Sequence, residues 1–274
     1  MSGASTPRPA ADAPTGSAAE IPAEIPVEIP AEVPVEIPAE LLEPPDVRHQ
    51  HRDVTGGWLR PAVFGAMDGL VSNFALIAGV SGGGGSPAAV LLAGLAGLAA
   101  GAFSMAAGEY TSVAAQKELG LAEIEVERRE LRVRPDAERV ELAQTYHRRG
   151  LSPQLALQVA AELSIDREQA LEIHVREELG FDYRELPSPV LAAVSSFAAF
   201  ALGAMLPLLP YLLGATAMWP ALAIATIGLF GSGALVSRVT ARTWWYSGTR
   251  QLLLGGAAAG VTYGVGGLVG AVLG

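Results

Sequence analysis

Charge is laid out along this chain in blocks. Of its 28 acids and 18 bases, 16 acids and 11 bases fall between Lys117 and Glu185, and most of the other acids lie before Val54. The long apolar stretches outside those blocks carry almost none. A soluble domain spreads charge over its whole surface, so segregation of this kind means two solvents, water and lipid. Spanning segments must satisfy their backbone internally, and apolar runs of this length do so as helices. The chain reads as an all-α membrane protein.

Five stretches are long enough to cross a hydrocarbon core of ~30 Å: about 58–80, 88–114, 189–213, 220–239 and 252–273. They divide the chain into a tail (1–54), two transmembrane helices (55–114), a charged helical module (115–186) and three further transmembrane helices (187–274). Gly97 and Gly101 form a G-x-x-x-G pair, and Gly256, Gly260 and Gly264 repeat that spacing as a close-packing face. Pro207 and Pro210 predict a break in the second half of the third span. The loop SGGGGSP lacks the Lys-Ser/Thr of a phosphate-binding loop and reads as a linker.

Within the module, periodicity predicts a helix over 115–133 that ends at Arg134-Pro135, and a second from Pro135-Asp136 to Arg149-Gly150. Ser152-Pro153 opens a short helix to Leu163, and Ile165-Asp166 leads into another through Leu179-Gly180. The tail repeats E-[IV]-P-[AV] from Glu20 to Glu36, and a proline every fourth residue makes it an extended rod. That rod is either a spacer or a dispensable extension. The first thirty residues show no basic stretch leading into an apolar core, so the first span serves as the targeting signal.

Arg48, Arg52, Arg60, the module's bases and Arg238, Arg242 and Arg250 fall on one side of a five-span arrangement. The other side, including SGGGGSP and the C-terminus, has no Lys or Arg. The positive-inside rule puts the N-terminus and module in the cytoplasm and the C-terminus outside. Trp58, Trp219, Trp244 and Trp245 suit the interfaces. One lysine against seventeen arginines suggests a GC-rich bacterial genome and hence a plasma membrane.

With no cysteine, disulfides and thiolate metal sites are excluded. Nucleic acid is an unsuitable partner, because the arginines are interleaved with a larger number of acids. Neither Glu-x-x-His nor H-E-x-x-H occurs, which argues against di-iron oxidase and metalloprotease chemistry. Nothing calls for a prosthetic group, and the chain is read as a non-enzyme.

Inside the first span, GAMDGLVSNFALIAG holds one carboxylate, Asp68. An ionised acid at a helix centre costs roughly 2.5–3.5 kcal/mol on insertion scales, so its retention points to a polar cavity with a cation or proton to bind. The second span offers Met105 and Glu109 at i, i+4, on one helix face. A hard carboxylate with a soft thioether suits a borderline first-row cation. Ser72, Asn73 and Ser104 are secondary oxygens for such a site. Glu109, near the end of the span, is a mouth residue, a proton carrier or simply solvated.

The segments DGLVSNFALIAGV, AGAFSMAAGEYTSVAAQKE and LPSPVLAAVSSFAAFALGAMLPLLPYLL, in that order, resemble the vacuolar iron transporter family over about residues 60–274. The resemblance implies five transmembrane helices, a cytoplasmic metal-binding module between the second and third, and a homodimer with its pathway at the interface. It implies export of Fe²⁺ from the cytosol in exchange for protons, with related ions such as Mn²⁺ sometimes accepted. Asp68 and Met105 then line the pathway. Glu127, Glu130, Glu138, Glu141 and Glu178 match the positions where the family gathers metal with glutamates. The alternative is a membrane-anchored acidic scaffold or metal-binding protein that transports nothing. Its acids would be a solvated face laced by Arg128, Arg129 and Arg139. One departure stands out: methionines found near the end of the module in some members are replaced by His174 and Val175. His174 is either a substitute ligand or a surface histidine, and the module's preference among Fe²⁺, Mn²⁺, Co²⁺ and Zn²⁺ depends on which.

Overall fold

The computed structural model describes residues 57–238, 240 and 242–273. The repeat tail lies outside the described residues, as do Val239 and Gly274. The regular elements are all helical: α1 (Leu59–Gly82), α2 (Pro87–Val133), α3 (Pro135–Arg148), α4 (Pro153–Leu163), α5 (Arg167–His174), α6 (Pro189–Met205), α7 (Leu209–Leu212), α8 (Trp219–Val236) and α9 (Trp244–Leu273). A single π turn, Val175–Leu179, extends α5, and a 3₁₀ turn, Leu206–Leu208, joins α6 to α7. Among the described residues five helical stretches are long and apolar enough to cross a membrane, α1, α2, α6–α7, α8 and α9.

Several starts follow directly from the sequence. Ser86-Pro87, Ser152-Pro153 and Ser188-Pro189 each place a hydroxyl at the N-cap and a proline at the first helical position. Each serine accepts from the amide three residues on, at 3.3, 3.4 and 3.3 Å. Such a cap satisfies one of the orphan donors of a helix start, typically worth ~1 kcal/mol. Asp166 caps α5 in the same way, accepting from Gln169 at 2.8 Å. Pro207 and Pro210 end α6 where a break is expected, because proline offers no amide to the turn before it.

One boundary is not where composition puts it. The second span and the first charged helix are a single helix of 47 residues. At ~1.5 Å per residue it is about 70 Å long, over twice the hydrocarbon thickness, so its charged half projects beyond the membrane. No proline interrupts the stretch between Pro87 and Pro135. The change at residue 115 is a change of solvent that leaves the backbone unbroken.

α1 is the central helix and packs against α2, α6, α8 and α9. Its crossing with α6 is made by glycine: a Cβ on Gly69 would collide with the Phe200 carbonyl, and one on Gly203 with that of Ala66. Such backbone contact substitutes for the hydrophobic drive that lipid removes. Leu70, Phe74 and Ala78 then meet Ala225, Leu229 and Ala259 in a common core. α9 reaches α1 through Gly266 and Gly270, while Gly256, Gly260 and Gly264 have nothing within 4 Å of an added Cβ. Among the described residues, the close-packing face expected at those three positions is therefore not used. α9 also begins eight residues before 252, because Ser247 and Gln251, polar by composition, are buried against Gly233.

Between the second and third spans, α3 and α4 enclose Leu142, Ala143, Ala156 and Ala160. α5 and its π turn lay Leu171 and Val175 on Ile124 of α2. Each large apolar side chain buried there contributes ~1.5–3 kcal/mol, enough for short helices to hold acids in fixed positions.

Candidate metal-ion sites

α1 and α2 flank a cavity of about 260 Å³ lined by Asp68, Ser72, Asn73, Gly97, Ser104 and Met105, with Leu76, Gly101 and Phe200 completing it. The expected carboxylate and thioether thus come together from two different helices. Gly97 and Gly101 let Leu76 and the Phe200 ring pack directly on α2 at the cavity wall: added Cβ atoms would run into them. Asp68 and Met105 are each half-buried. A hard anionic oxygen and a soft sulfur facing one space form a donor set for a borderline divalent ion.

Glu109 does not line that cavity. It belongs to a second concavity with Arg60, Val63, Phe64 and Met67, one turn of α2 beyond Met105 and beside the start of α1. Residues at i and i+4 share a face, yet neighbouring helices can divide that face into separate spaces.

The charged segment brings a different group together. Glu127 of α2, Glu138 of α3, His174 of α5 and Glu178 of the π turn each offer one ligand atom, all within 4.8 Å of one another. Glu127 and Glu138 are buried, and Oε1 of Glu127 has no hydrogen-bond partner among the described residues. Burial, and then the Glu178 charge, push the Glu127 carboxyl up to about 7, against a smaller opposing effect of His174. Glu138 is raised by burial and then by Glu141. Glu178, more exposed, is raised by partial desolvation of its carboxyl and then by the same Glu141. Like charges held this close favour either a shared proton or a cation.

His174 is neither exposed nor free to turn. It is 0 % exposed, with Nδ1 2.8 Å from the Ala170 carbonyl and Nε2 3.2 Å from that of Glu138. The surface reading of this residue is corrected: α5 packs it inward against α3. Both ring nitrogens are thus on main-chain carbonyls, and to ligate an ion the imidazole would exchange one of these contacts, with the other setting the ring's orientation. The sequence signal was there, since His174 and Glu178 stand at i, i+4.

Glu130 and Glu141 stay outside the four-residue group. Glu130 is 3.4 Å from Arg134, and Glu141 is exposed. Arginines expected to lace the acids go elsewhere: Arg128 bonds Glu125 at 2.7 Å, and Arg139 pairs with Asp136. Three carboxylates and an imidazole are a donor set that suits a first-row divalent ion.

A family model described as the VIT family matches residues 59–267. The chain is 30 % identical over 221 residues to Vacuolar iron transporter 1 of Oryza sativa subsp. japonica, covering 79 % of this chain and 88 % of the relative. It is 38 % identical over 217 residues to the Vacuolar iron transporter of Acanthamoeba castellanii, covering 79 % and 77 %. The Vacuolar iron transporter of Toxoplasma gondii is 30 % identical over 241 residues, covering 84 % and 80 %. These relatives are named as transporters and not as enzymes.

Proposed function

The chain belongs to the VIT family, and from that premise we propose that it exports Fe²⁺, and also Mn²⁺, from the cytosol in exchange for protons. The observation that carries this reading is the cavity in which Asp68 of one span and Met105 of the next face each other. Asp68 and Met105 are its pathway ligands, and Glu109 stands at the entrance. A carboxylate oxygen holds a proton or a metal ion, one at a time, which is the chemistry of exchange. Iron as the cargo is supported by the names of the relatives.

The charged segment is the cytoplasmic collector. Glu127, Glu138, Glu178 and His174 hold the ion, while Glu130 and Glu141 add charge nearby that concentrates cations. The uneven placement of arginines supports a cytoplasmic N-terminus and module with the C-terminus outside. Arginine usage favours a bacterial plasma membrane. A homodimer is supported by the half-buried state of Asp68, since an acid in a span needs shielding from lipid that a second copy supplies.

Purified protein in sealed proteoliposomes should move Fe²⁺ at a rate that rises with an opposing pH gradient. Flux indifferent to the gradient would leave a passive pathway. Metal binding without any flux would favour the membrane-anchored acidic scaffold.

A further inference from the structure

Asn73 lies five residues beyond Asp68 in α1, ~7.5 Å farther along the axis from the Arg60 end. It is 2 % exposed. Its Nδ2 donates to the Ala204 carbonyl of α6 at 2.7 Å. A carbonyl only accepts, so this bond decides which end of the amide is nitrogen and turns Oδ1 the other way. Oδ1 faces Gly97 across the cavity: a Cβ on that glycine would sit 3.2 Å from it. The oxygen is buried and has no hydrogen-bond partner among the described residues. A buried acceptor left in this state costs roughly 1–3 kcal/mol, and native structures keep few of them.

We infer that Asn73 Oδ1 is a second station for the transported divalent cation, deeper in the pathway than Asp68 and Met105. The inference rests on the transport reading above. Asp68 attracts the ion with a full charge, and an ion bound only there would be slow to leave. A neutral amide oxygen farther along binds it weakly and draws it onward, as conduction through successive sites requires. The tether to Ala204 keeps the oxygen aimed at the cavity. The hydroxyls of Ser72 and Ser104 line the same space. Gly97, with no side chain, lets the Asn73 amide and Leu76 come close to α2.

Two substitutions separate this role from a tether between α1 and α6. Asn73→Leu removes both the donor to Ala204 and the oxygen. Asn73→Asp removes the amide donor and keeps an oxygen, now charged. Both are made in the full-length chain carrying Glu127→Gln, Glu138→Gln and Glu178→Gln, so that binding reports the membrane site. Mn²⁺ binding is followed by the paramagnetic signal of the free ion. Asn73→Leu should weaken binding about tenfold and Asn73→Asp should strengthen it by at least as much. If the two variants bind like the parent, or both weaken alike for want of the tether, the station is overturned. Flux of the parent in proteoliposomes is read separately and decides the transport reading alone.

Discussion

Nε2 of His174 lies 3.2 Å from the main-chain oxygen of Glu138, joining two residues 36 positions apart. The contact puts an imidazole where the module's acids converge, and gives that cluster a nitrogen donor. His174→Met keeps most of the buried volume and exchanges nitrogen for sulfur. Competition titrations should show Zn²⁺ and Co²⁺ losing about tenfold in affinity relative to Mn²⁺, which prefers oxygen. An unchanged ranking would make His174 a packing residue.

Glu127, together with the raised Glu138 and Glu178, should make the module sensitive to pH. The Glu127 carboxyl rises from an ordinary 4.5 to about 7 through burial and then Glu178. The folded chain therefore holds this proton more tightly than the unfolded one. The stability it contributes is fully present below 4.5 and lost as pH rises through about 7. In metal-free protein, amide exchange in α3–α5, corrected for intrinsic rate, should be slower at about pH 6 than at about pH 8. Metal affinity should run the opposite way, falling up to about tenfold per unit below pH 7, because the ion must displace the proton. Affinity independent of pH would remove Glu127 from the ligand set.

Asp68→Asn retains size and polarity and removes the charge. Transport should fall by about a hundredfold or more at every metal concentration, with the protein still assembled, because the loss is of cation binding in a low-dielectric site. Near-normal flux would return Asp68 to the status of a buried polar residue.

The proposed collector should behave differently. Changing Glu127, Glu130, Glu138, Glu141 and Glu178 to Gln should reduce flux chiefly at low metal, raising the apparent KM severalfold and sparing the maximum. Restoring Glu130 and Glu141 alone should recover little, since neither belongs to the convergent group. Recovery of most of the effect by those two would place the binding site elsewhere.

Gly203→Leu tests the crossing of α1 and α6. Its side chain would meet the backbone of Ala66, which has nowhere to move without separating the helices. Thermal unfolding in detergent should shift down by several degrees or the protein should fail to assemble. An unshifted transition would show that the crossing tolerates a wider gap.

The spans and most helix starts were legible because their causes are local: an apolar run of sufficient length, and a serine followed by proline. So was the pairing of acid with thioether, through the motifs around Asp68 and Met105. What the residues could not give were the consequences of packing. Composition changes at 115 without any helix-breaking residue, and one helix was read as two. The evenly spaced Gly256, Gly260 and Gly264 look like an interface, but α9 meets α1 on the face of Gly266 and Gly270. The family resemblance names five glutamates as a set, and only the folding of α3 and α5 back onto α2 separates three from the other two and adds His174.

The continuity of α2 has a mechanical consequence. Met105 and Glu127 are 22 residues apart on one uninterrupted rod, a distance of about 33 Å with no hinge between them. The cavity wall at Met105 and the acid cluster at Glu127 are therefore built on one and the same helix, and a substitution that broke α2 between them would separate the two sites.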